Sequence, residues 1–249
     1  MGAFETFIAW GDTHGDLVCK DSLAALQKHI KIFKPKHRIC LGDNFDFRAL
    51  RAGIRNTESD AYDDLVSDLT MGYMMIDKLK PTVYLMGNHE HRLYRAAEDH
   101  SNGLIRQYAK DGIDKLEGHL RKSGCKVLPY NYDKGVHVIN SVAFVHGYTA
   151  NQNSVKQHAE IYSPKGGATV MGHLHRIESV SAIRHGGAKG YSGGCLCDIK
   201  RMGYASHRTA TRRWDNGWLF GIIGKKGFKI WQVEKVSGHW IMPSKILSE

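Results

Sequence analysis

Five short apolar runs occur in the first two thirds of the chain, and each leads into Asp, Asn or His residues. Apolar runs of this length bounded by glycine are typical of buried strands in a parallel sheet. The runs cover residues 7–10, 39–41, 83–86, 142–145 and 168–171. Polar residues just past the carboxyl end of such a strand lie where open α/β sheets place their ligands. The pattern therefore predicts an α/β fold whose site collects residues from five strand ends.

The segments between the first three of these predicted strands show helical periodicity. Apolar residues recur at helical spacing over Asp21–Phe33, with Asp21 or Ser22 as the expected cap and Pro35 as the stop. Because strand, helix and strand follow in that order, we expect the sheet to be parallel here. A second helix is predicted over about 58–79.

The rest of the chain mixes both patterns. Residues 92–122 have a helical pattern in which Gly103 and Gly112 are candidate interruptions, and their mixed charges predict a surface lid or cap. A hairpin is predicted over 136–145, and a helix capped by Asn151 is predicted to run to Tyr162. Beyond His175 the pattern becomes β-rich. The predicted elements there are a strand over 191–199 and a hairpin of 218–223 with 229–233.

Composition sets the broad class of the protein. The sequence has 249 residues, 42% of them hydrophobic, which is sufficient for one domain with a sizeable core. No repeat or linker interrupts it, so we predict one domain over 1–249, with a cap-like segment at 92–122 and a basic β-rich tail at 180–249. No apolar stretch approaches the ~20 residues that span a bilayer, and no secretory signal is visible.

Cysteine usage predicts the compartment. The five cysteines are scattered along the sequence, which fits unpaired thiols and a reducing cytoplasm. Cys195 and Cys197 are separated by one residue, and we expect them to point to opposite faces of a strand. A metal site of these two cysteines is disfavoured because no further cysteine pair accompanies them.

The net charge of +10 is concentrated toward the C-terminal end. Residues 180–249 hold twelve Lys and Arg against four acids, which is +8 of that total. A basic surface favours polyanionic partners, although a solvated face accounts for such charges as well. Because aromatic rings can stack on exposed bases, Trp214 together with Arg212 and Arg213 forms the candidate nucleic-acid contact.

The residues at the five strand ends are all oxygen or nitrogen donors. A single Asp or His in such a position is usually a capped turn, whereas five clusters in succession indicate metal coordination. Carboxylates, an amide carbonyl and imidazoles suit Mn²⁺, Fe, Zn²⁺ or Ni²⁺. We predict two divalent transition-metal ions, foremost Mn²⁺, at one edge of the sheet. One carboxylate can give an oxygen to each ion, so Asp43 is expected to bridge them.

The ordered motifs Asp12-x-His14, Gly42-Asp43-x-x-Asp46, Gly87-Asn88-His89-Glu90, His146-Gly147 and Gly172-His173-x-His175 resemble those of the calcineurin-like metallophosphoesterases. The resemblance implies a four-layer α/β/β/α sandwich with the metal site at the carboxyl ends of its central strands. It implies one ion held by Asp12, His14, Asp43 and His175. It implies a second ion held by Asp43, Asn88, His146 and His173.

The resemblance also implies catalytic roles. In that family the histidine after the ligand Asn protonates the leaving oxygen and the second acid of Gly-Asp-x-x-Asp orients it, which would make His89 the general acid and Asp46 its partner. Protonation of an alkoxide leaving group is worth ~10²–10⁴ in rate. Gly-Asn-His-Glu-x-Arg is similar to the Ser/Thr protein phosphatases, which implies that Arg92 grips the substrate phosphate. Arg48 lies one place later than their other arginine and is the second phosphate candidate.

Together these patterns predict a cytoplasmic two-metal phosphoesterase in which water attacks phosphorus. The basic tail favours a phosphodiesterase that acts on nucleic acid or nucleotides. The alternative is a phosphomonoesterase, either a protein phosphatase or one for small molecules. A third hypothesis, a noncatalytic nucleic-acid-binding protein with structural metals, is disfavoured because structural sites do not need an acid dyad. The patterns predict no membrane partner and leave the oligomeric state open.

Overall fold

The computed structural model describes residues 4–51, 65–183, 186–202, 209–225 and 227–242. The strands are β1 Glu5–Trp10, β2 His37–Cys40, β3 Val83–Leu85, β4 Lys126–Leu128, β5 His137–Ile139, β6 Val142–Val145, β7 Ala168–Met171, β8 Ile177–Ala182, β9 Ala188–Gly193, β10 Gly217–Ile223, β11 Phe228–Val236 and β12 His239–Trp240. The α-helices are α1 Lys20–Phe33, α2 Leu65–Leu79, α3 Asn88–Asp99, α4 Gly103–Lys122 and α5 Ser154–Tyr162. The predicted start of the second helix, 58–64, lies outside the described residues.

The strands form two sheets. The first has the order β12-β11-β10-β1-β2-β3-β4 and the second the order β5-β6-β7-β9-β8. Strands β1 to β4 are parallel to one another, as are β6, β7 and β9. The parallel pairing predicted from the strand-helix-strand order is therefore confirmed. The predicted hairpins β5–β6 and β10–β11 are both antiparallel.

Side-chain alternation along β1 shows how the layers pack. Phe7 and Ala9 are buried in a cluster that joins the two sheets, because it also contains Phe144 and Val170 of the second sheet. Ile8 and Trp10 point the other way, into a cluster with residues of α1, α2, α3 and α4. Helix α5 covers the outer face of the second sheet, where Val155 and Ala159 are buried. This arrangement confirms the predicted four-layer α/β/β/α sandwich.

The structure corrects several predicted boundaries. The segment expected at 92–122 is two helices that begin at Asn88, with a break at 100–102 where the Asn102 side chain caps α4. Gly112 does not interrupt α4, since it lies against Leu93 of α3. Both helices bury residues in the core beside the first sheet.

Other corrections concern caps and strand ends. Helix α1 begins after Cys19 without a side-chain cap, so neither expected residue caps it. Helix α5 begins at Ser154, later than a cap at Asn151 would place it. The strand predicted to run to residue 199 ends at Gly193, because the next residue, Gly194, adopts a φ of +80°. No described helix is long and apolar enough to cross a membrane.

Candidate metal centre

The carboxyl ends of the central strands of both sheets meet at one edge of the sandwich. Within the first sheet, the amide of Asp12 donates to the carbonyl of Gly42 at 3.0 Å. Between the sheets, His146 Nδ1 lies 2.7 Å from the Leu41 carbonyl, and the amide of His173 donates to Asp12 at 2.9 Å. The end of β3 joins them, because the amide of His89 donates to Asp43 Oδ1 at 2.8 Å. Residues from five separate strand ends are therefore brought together.

The loops that follow these strands turn through unusual backbone conformations. Five candidate ligands have a positive φ, with values of 55° at Asp12, 53° at His14, 50° at Asp43, 69° at His173 and 56° at His175. Such conformations are uncommon for residues other than glycine and cluster at functional sites. The turns bend each side chain back across the strand ends toward its neighbours.

One cluster consists of Asp12, His14 and His175, all buried. His14 Nε2 lies 3.1 Å from His175 Nε2, and that nitrogen lies 3.3 Å from Asp12 Oδ1. His14 Nδ1 faces Asp46 Oδ1 at 2.9 Å, where it donates a proton and leaves Nε2 with a lone pair. Two imidazole nitrogens and a carboxylate that converge in this way are suited to a shared cation.

A second cluster consists of Asp43, His146 and His173, with Asn88 beside them. His146 Nε2 lies 3.4 Å from Asp43 Oδ2 and 3.0 Å from Asn88 Oδ1. Its other nitrogen is held by the Leu41 carbonyl, which fixes the ring as outer-sphere partners fix metal-ligating histidines. The oxygen and nitrogen donors of both clusters fit divalent ions of the Mn²⁺ to Zn²⁺ series.

Electrostatics in the second cluster shift the pKa values of two neighbouring histidines, His146 and His173, in opposite directions. Burial raises the pKa of Asp43, but the charges of His146 and His89 outweigh it and hold that pKa well below its usual range. Burial lowers the pKa of His146, yet Asp43 raises it to about 9. Burial and the charge of His146 lower the pKa of His173 to about 3. Opposite shifts in adjacent groups are typical of functional sites.

Asp46 and His89 form a close pair beside both clusters. His89 Nδ1 lies 2.9 Å from Asp46 Oδ1 and 2.8 Å from the Asp46 carbonyl. Burial lowers the pKa of His89, but Asp43 and Asp46 outweigh that effect and raise it. The same Oδ1 atom also accepts from His14. The dyad expected from the sequence is thus assembled, and it is linked to a candidate metal ligand.

The two arginine candidates lie in different surroundings. Arg92 donates to the Asp46 carbonyl at 2.8 Å and to His89 Nε2 at 3.0 Å, so its guanidinium lies inside the site. Arg48 forms a two-pronged ion pair with Asp16, at 2.8 and 3.0 Å. Arg92 is therefore the better placed of the two for a substrate phosphate.

The candidate nucleic-acid residues lie beside the first cluster. Arg212 and Arg213 are exposed at the end of a short 3-10 helix over Thr209–Arg213. Trp214 is half-buried, and its ring centroid lies 4.2 Å from that of His175. The structure therefore brings this tryptophan against a candidate metal ligand, a contact that the sequence pattern did not predict.

Two acids that sequence reasoning left without a role hold the loop that carries Asp43 and Asp46. Glu90 accepts from the amides of Asp43, Asn44, Phe45 and Gly87 and from the Tyr84 hydroxyl, at 2.7 to 3.1 Å. Asp68 accepts from the amides of Asp46 and Phe47 at 2.9 and 2.7 Å. The available signal for Glu90 was its position in the first turn of α3, where an acid can cap backbone amides.

Cys195 and Cys197 do not point to opposite faces, so that prediction was wrong. Alternate residues of an extended chain share a face, and the two Sγ atoms lie 3.5 Å apart. Cys197 Sγ is also 4.0 Å from His175 Nδ1. These three buried residues could hold a cation of their own, although their histidine belongs to the first cluster.

A sandwich of two sheets with His and Asp clusters at its strand ends is the architecture of metal-dependent phosphoesterases. Residues 6–191 match a sequence-family model described as calcineurin-like phosphoesterase. This chain belongs to the calcineurin-like phosphoesterase family and is a metal-dependent phosphoester hydrolase. No curated protein matches the sequence significantly.

Several solved structures are similar in outline. Vacuolar protein sorting 29 from Cryptosporidium parvum is 11% identical, covers 99% of this chain and 99% of its own, and has a TM-score of 0.46. A metallophosphoesterase from Sphaerobacter thermophilus is 15% identical, with 90% and 85% covered and a TM-score of 0.43. The nuclease MPE from Pseudomonas putida is 13% identical, with 77% and 75% covered and a TM-score of 0.38. The family assignment rests on the family match alone.

Proposed function

We propose that this protein is a two-metal phosphodiesterase that acts on nucleic acid or nucleotides. The observation that carries the choice of substrate is the position of Trp214. Its ring lies against His175 at the centre, and the exposed Arg212 and Arg213 precede it directly. In proteins that bind single strands, cationic side chains contact the phosphates and aromatic rings stack on the bases. A segment of this kind beside the reacting centre therefore supports a substrate that carries phosphates and bases on either side of the scissile bond.

The proposed ligands follow the two clusters. Asp12, His14 and His175 would hold one ion, Asn88, His146 and His173 would hold the other, and Asp43 would bridge them. Two divalent ions in these positions would supply an activated water and neutralise charge on the phosphoryl oxygens. Mn²⁺ is our first choice for both ions, with Fe, Zn²⁺ or Ni²⁺ as alternatives.

His89 is the proposed general acid. It would donate a proton from Nε2 to the leaving oxygen, while Asp46 fixes the ring through Nδ1. Arg92 donates to the same Nε2 atom at 3.0 Å when His89 is neutral. A protonated Nε2 cannot accept that hydrogen bond, so protonation of His89 would release Arg92 toward the substrate phosphate. Protonation would therefore prepare His89 to act as the general acid and would free Arg92 to bind the phosphate.

The test is a substrate panel with metal-depleted protein reloaded with each divalent ion in turn. We expect hydrolysis of bis-p-nitrophenyl phosphate and of labelled single-stranded DNA or RNA, with p-nitrophenyl phosphate a poorer substrate. Asp43→Asn is expected to abolish turnover and to lower the bound metal, which elemental analysis of the wild type should place near two ions per chain. Full activity in strong chelator, with no bound metal, would rule the proposal out. Hydrolysis of the monoester alone would favour the phosphomonoesterase.

A further inference from the structure

A row of aromatic rings leads away from the opposite side of the centre, beyond His146. The Tyr130 ring centroid lies 5.7 Å from that of His146, the Tyr148 ring lies 5.1 Å from Tyr130, and the Tyr132 ring lies 4.5 Å from Tyr148. Tyr130 and Tyr148 are half-buried, whereas Tyr132 is 64% exposed. We call Tyr130, Tyr148 and Tyr132 the tyrosine ladder.

The inner rungs of the ladder are fixed by contacts on several sides. The Tyr148 hydroxyl donates to the Asn131 carbonyl at 2.6 Å, and its ring stacks against His158 at 6.0 Å between centroids. Tyr130 also contacts the His91 ring at 5.5 Å. Both rings also pack against buried clusters, so their faces are covered and they serve as a rigid support for Tyr132. A ring that is held in place before a ligand arrives loses less entropy on binding.

The outer rung stands on an ordered turn. Asn131 Oδ1 accepts from the amides of Asp133 and Lys134 at 3.0 and 2.9 Å, and the Asn131 carbonyl accepts from Gly135 at 2.8 Å. This turn presents Tyr132 at the surface, where its one ring contact with the described residues is to Tyr148. Tyr132 belongs to none of the buried clusters of the described residues. Its exposure therefore does not follow from a need to fill the core.

We propose that the tyrosine ladder binds a base of a single-stranded nucleic acid on the His146 side of the centre, through the exposed ring of its outer rung, Tyr132. Ring faces stack on bases without regard to sequence, and the ladder begins in contact with a candidate metal ligand and ends in solvent. Trp214 occupies the corresponding place beside His175. An unpaired strand whose scissile phosphate lies at the centre would then meet aromatic rings on both sides. Duplex nucleic acid hides its base faces, so a single strand is the occupant that the ladder fits.

This inference rests on the proposed phosphodiesterase activity, and the test compares two oligonucleotides of equal length. One is an oligothymidylate of about eight nucleotides, and the other carries abasic sites on the same backbone. We expect the wild-type protein to show a KM for the abasic strand at least about 5-fold higher than for the base-bearing strand. Tyr132→Ala is expected to bring that ratio toward one, whereas Tyr132→Phe keeps it.

The control is Tyr108→Ala, a half-exposed tyrosine on α4 that lies outside the ladder, which should keep the wild-type ratio. Equal KM values for the two strands in the wild type would overturn the ladder while leaving the diesterase intact. A wild-type protein that cleaves neither strand nor methyl p-nitrophenyl phosphate would instead contradict the proposed function. Hydrolysis of a phosphoserine peptide that falls in Tyr132→Ala, without any effect on the strands, would show that the ladder binds protein.

Discussion

At the scale of single residues, Asp46 has the most unusual set of contacts in the centre. Its Oδ1 atom accepts from both His14 and His89, while its buried Oδ2 atom has no hydrogen-bond partner among the described residues. A buried acceptor without a partner costs free energy. The cation of Arg48, with Nη1 at 3.6 Å, offsets part of that cost. The orientation of a candidate metal ligand and of the proposed general acid therefore depends on one residue, since the Asp46 carbonyl also lies 2.8 Å from His89 Nδ1.

This geometry leads to a prediction for His89. His89→Ala is expected to lower hydrolysis of a diester with an alkoxide leaving group by ~10²–10⁴, because that oxygen departs only with a proton. A p-nitrophenolate leaving group needs no proton, so hydrolysis of bis-p-nitrophenyl phosphate should fall by less than about 10-fold. Steady-state kinetics on both esters, with metal content measured in parallel, would check this.

His119→Ala is the control, since this histidine on α4 pairs with Asp77 away from the centre. It should retain wild-type rates on both esters. If His89→Ala loses equal activity on the two esters while keeping its metals, His89 does not act as the general acid.

At the scale of secondary-structure elements, the sequence predicts best where burial leaves a uniform pattern. Strands β1, β2, β3, β6 and β7 are parallel and covered on both faces, so they read as continuous apolar runs. Strand β8 was not predicted, because it lies at the edge of its sheet and carries Glu178, Ser179 and Ser181. Of the two interruptions expected in the 92–122 segment, the one at Gly103 coincides with the start of α4, whereas Gly112 lies inside that helix.

The candidate site likewise has features that the sequence predicts and features that it does not. Its ligand positions follow from motifs, each of which is local to one strand end. The contacts of Trp214 with His175 and of Asp46 with His14 join residues that are far apart in sequence. Such contacts depend on how loops of different strands approach each other, and no periodicity along the chain encodes that approach.

The packing of α2 against the Asp43 loop gives a prediction at this scale. A Cβ atom added at Gly72 would lie 2.1 Å from the buried ring of Phe45, and the Gly72 carbonyl accepts from Asn44. Gly72→Ala is therefore expected to lower the free energy of unfolding by about 1–3 kcal/mol, as overpacking does. It should also lower activity by displacing the loop. Denaturant unfolding and diester kinetics measure the two effects.

Gly118→Ala is the matched control in α4, because within the described part of the chain nothing beyond its neighbours and its own helix backbone lies within 4 Å of the added Cβ. Alanine favours the helix there by about 1 kcal/mol, so this variant should be stabilised and fully active. A Gly72→Ala protein as stable and active as the wild type would show that the contact between α2 and Phe45 does not fix the loop.

At the scale of the whole molecule, the C-terminal segment is an integral part of the sandwich. Strand β10 pairs with β1 in the first sheet, and Trp218 is buried there with its Nε1 donating to His29 at 2.9 Å. Trp231 packs against Phe220 with ring centroids 5.1 Å apart. The hairpin tryptophans therefore stabilise the fold, whereas Trp214 lies against His175 and also packs on the buried cluster that contains Cys195 and Cys197.

The last prediction concerns the cations that precede Trp214. Arg212→Ala/Arg213→Ala is expected to weaken binding of single-stranded oligonucleotide and to flatten the dependence of log Kd on log salt. Each lost phosphate contact removes roughly 0.7 from the slope for a single strand. A titration between about 50 and 200 mM salt, followed by fluorescence anisotropy, measures both quantities. Metal content should stay at the wild-type level, because neither arginine is a proposed ligand.

Net charge alone would also weaken binding to a polyanion, so the control must remove the same charge elsewhere. Lys110→Ala/Lys122→Ala does so on exposed positions of α4. Long-range attraction falls off beyond a Debye length of about 10 Å at 0.1 M salt, so this control should lower affinity slightly and keep the slope. Equal slopes in the arginine variant and the wild type would show that the basic loop is a solvated surface. Since the proposed substrate rests on that loop, a small-molecule or protein phosphatase would then explain the centre better than a nucleic-acid diesterase.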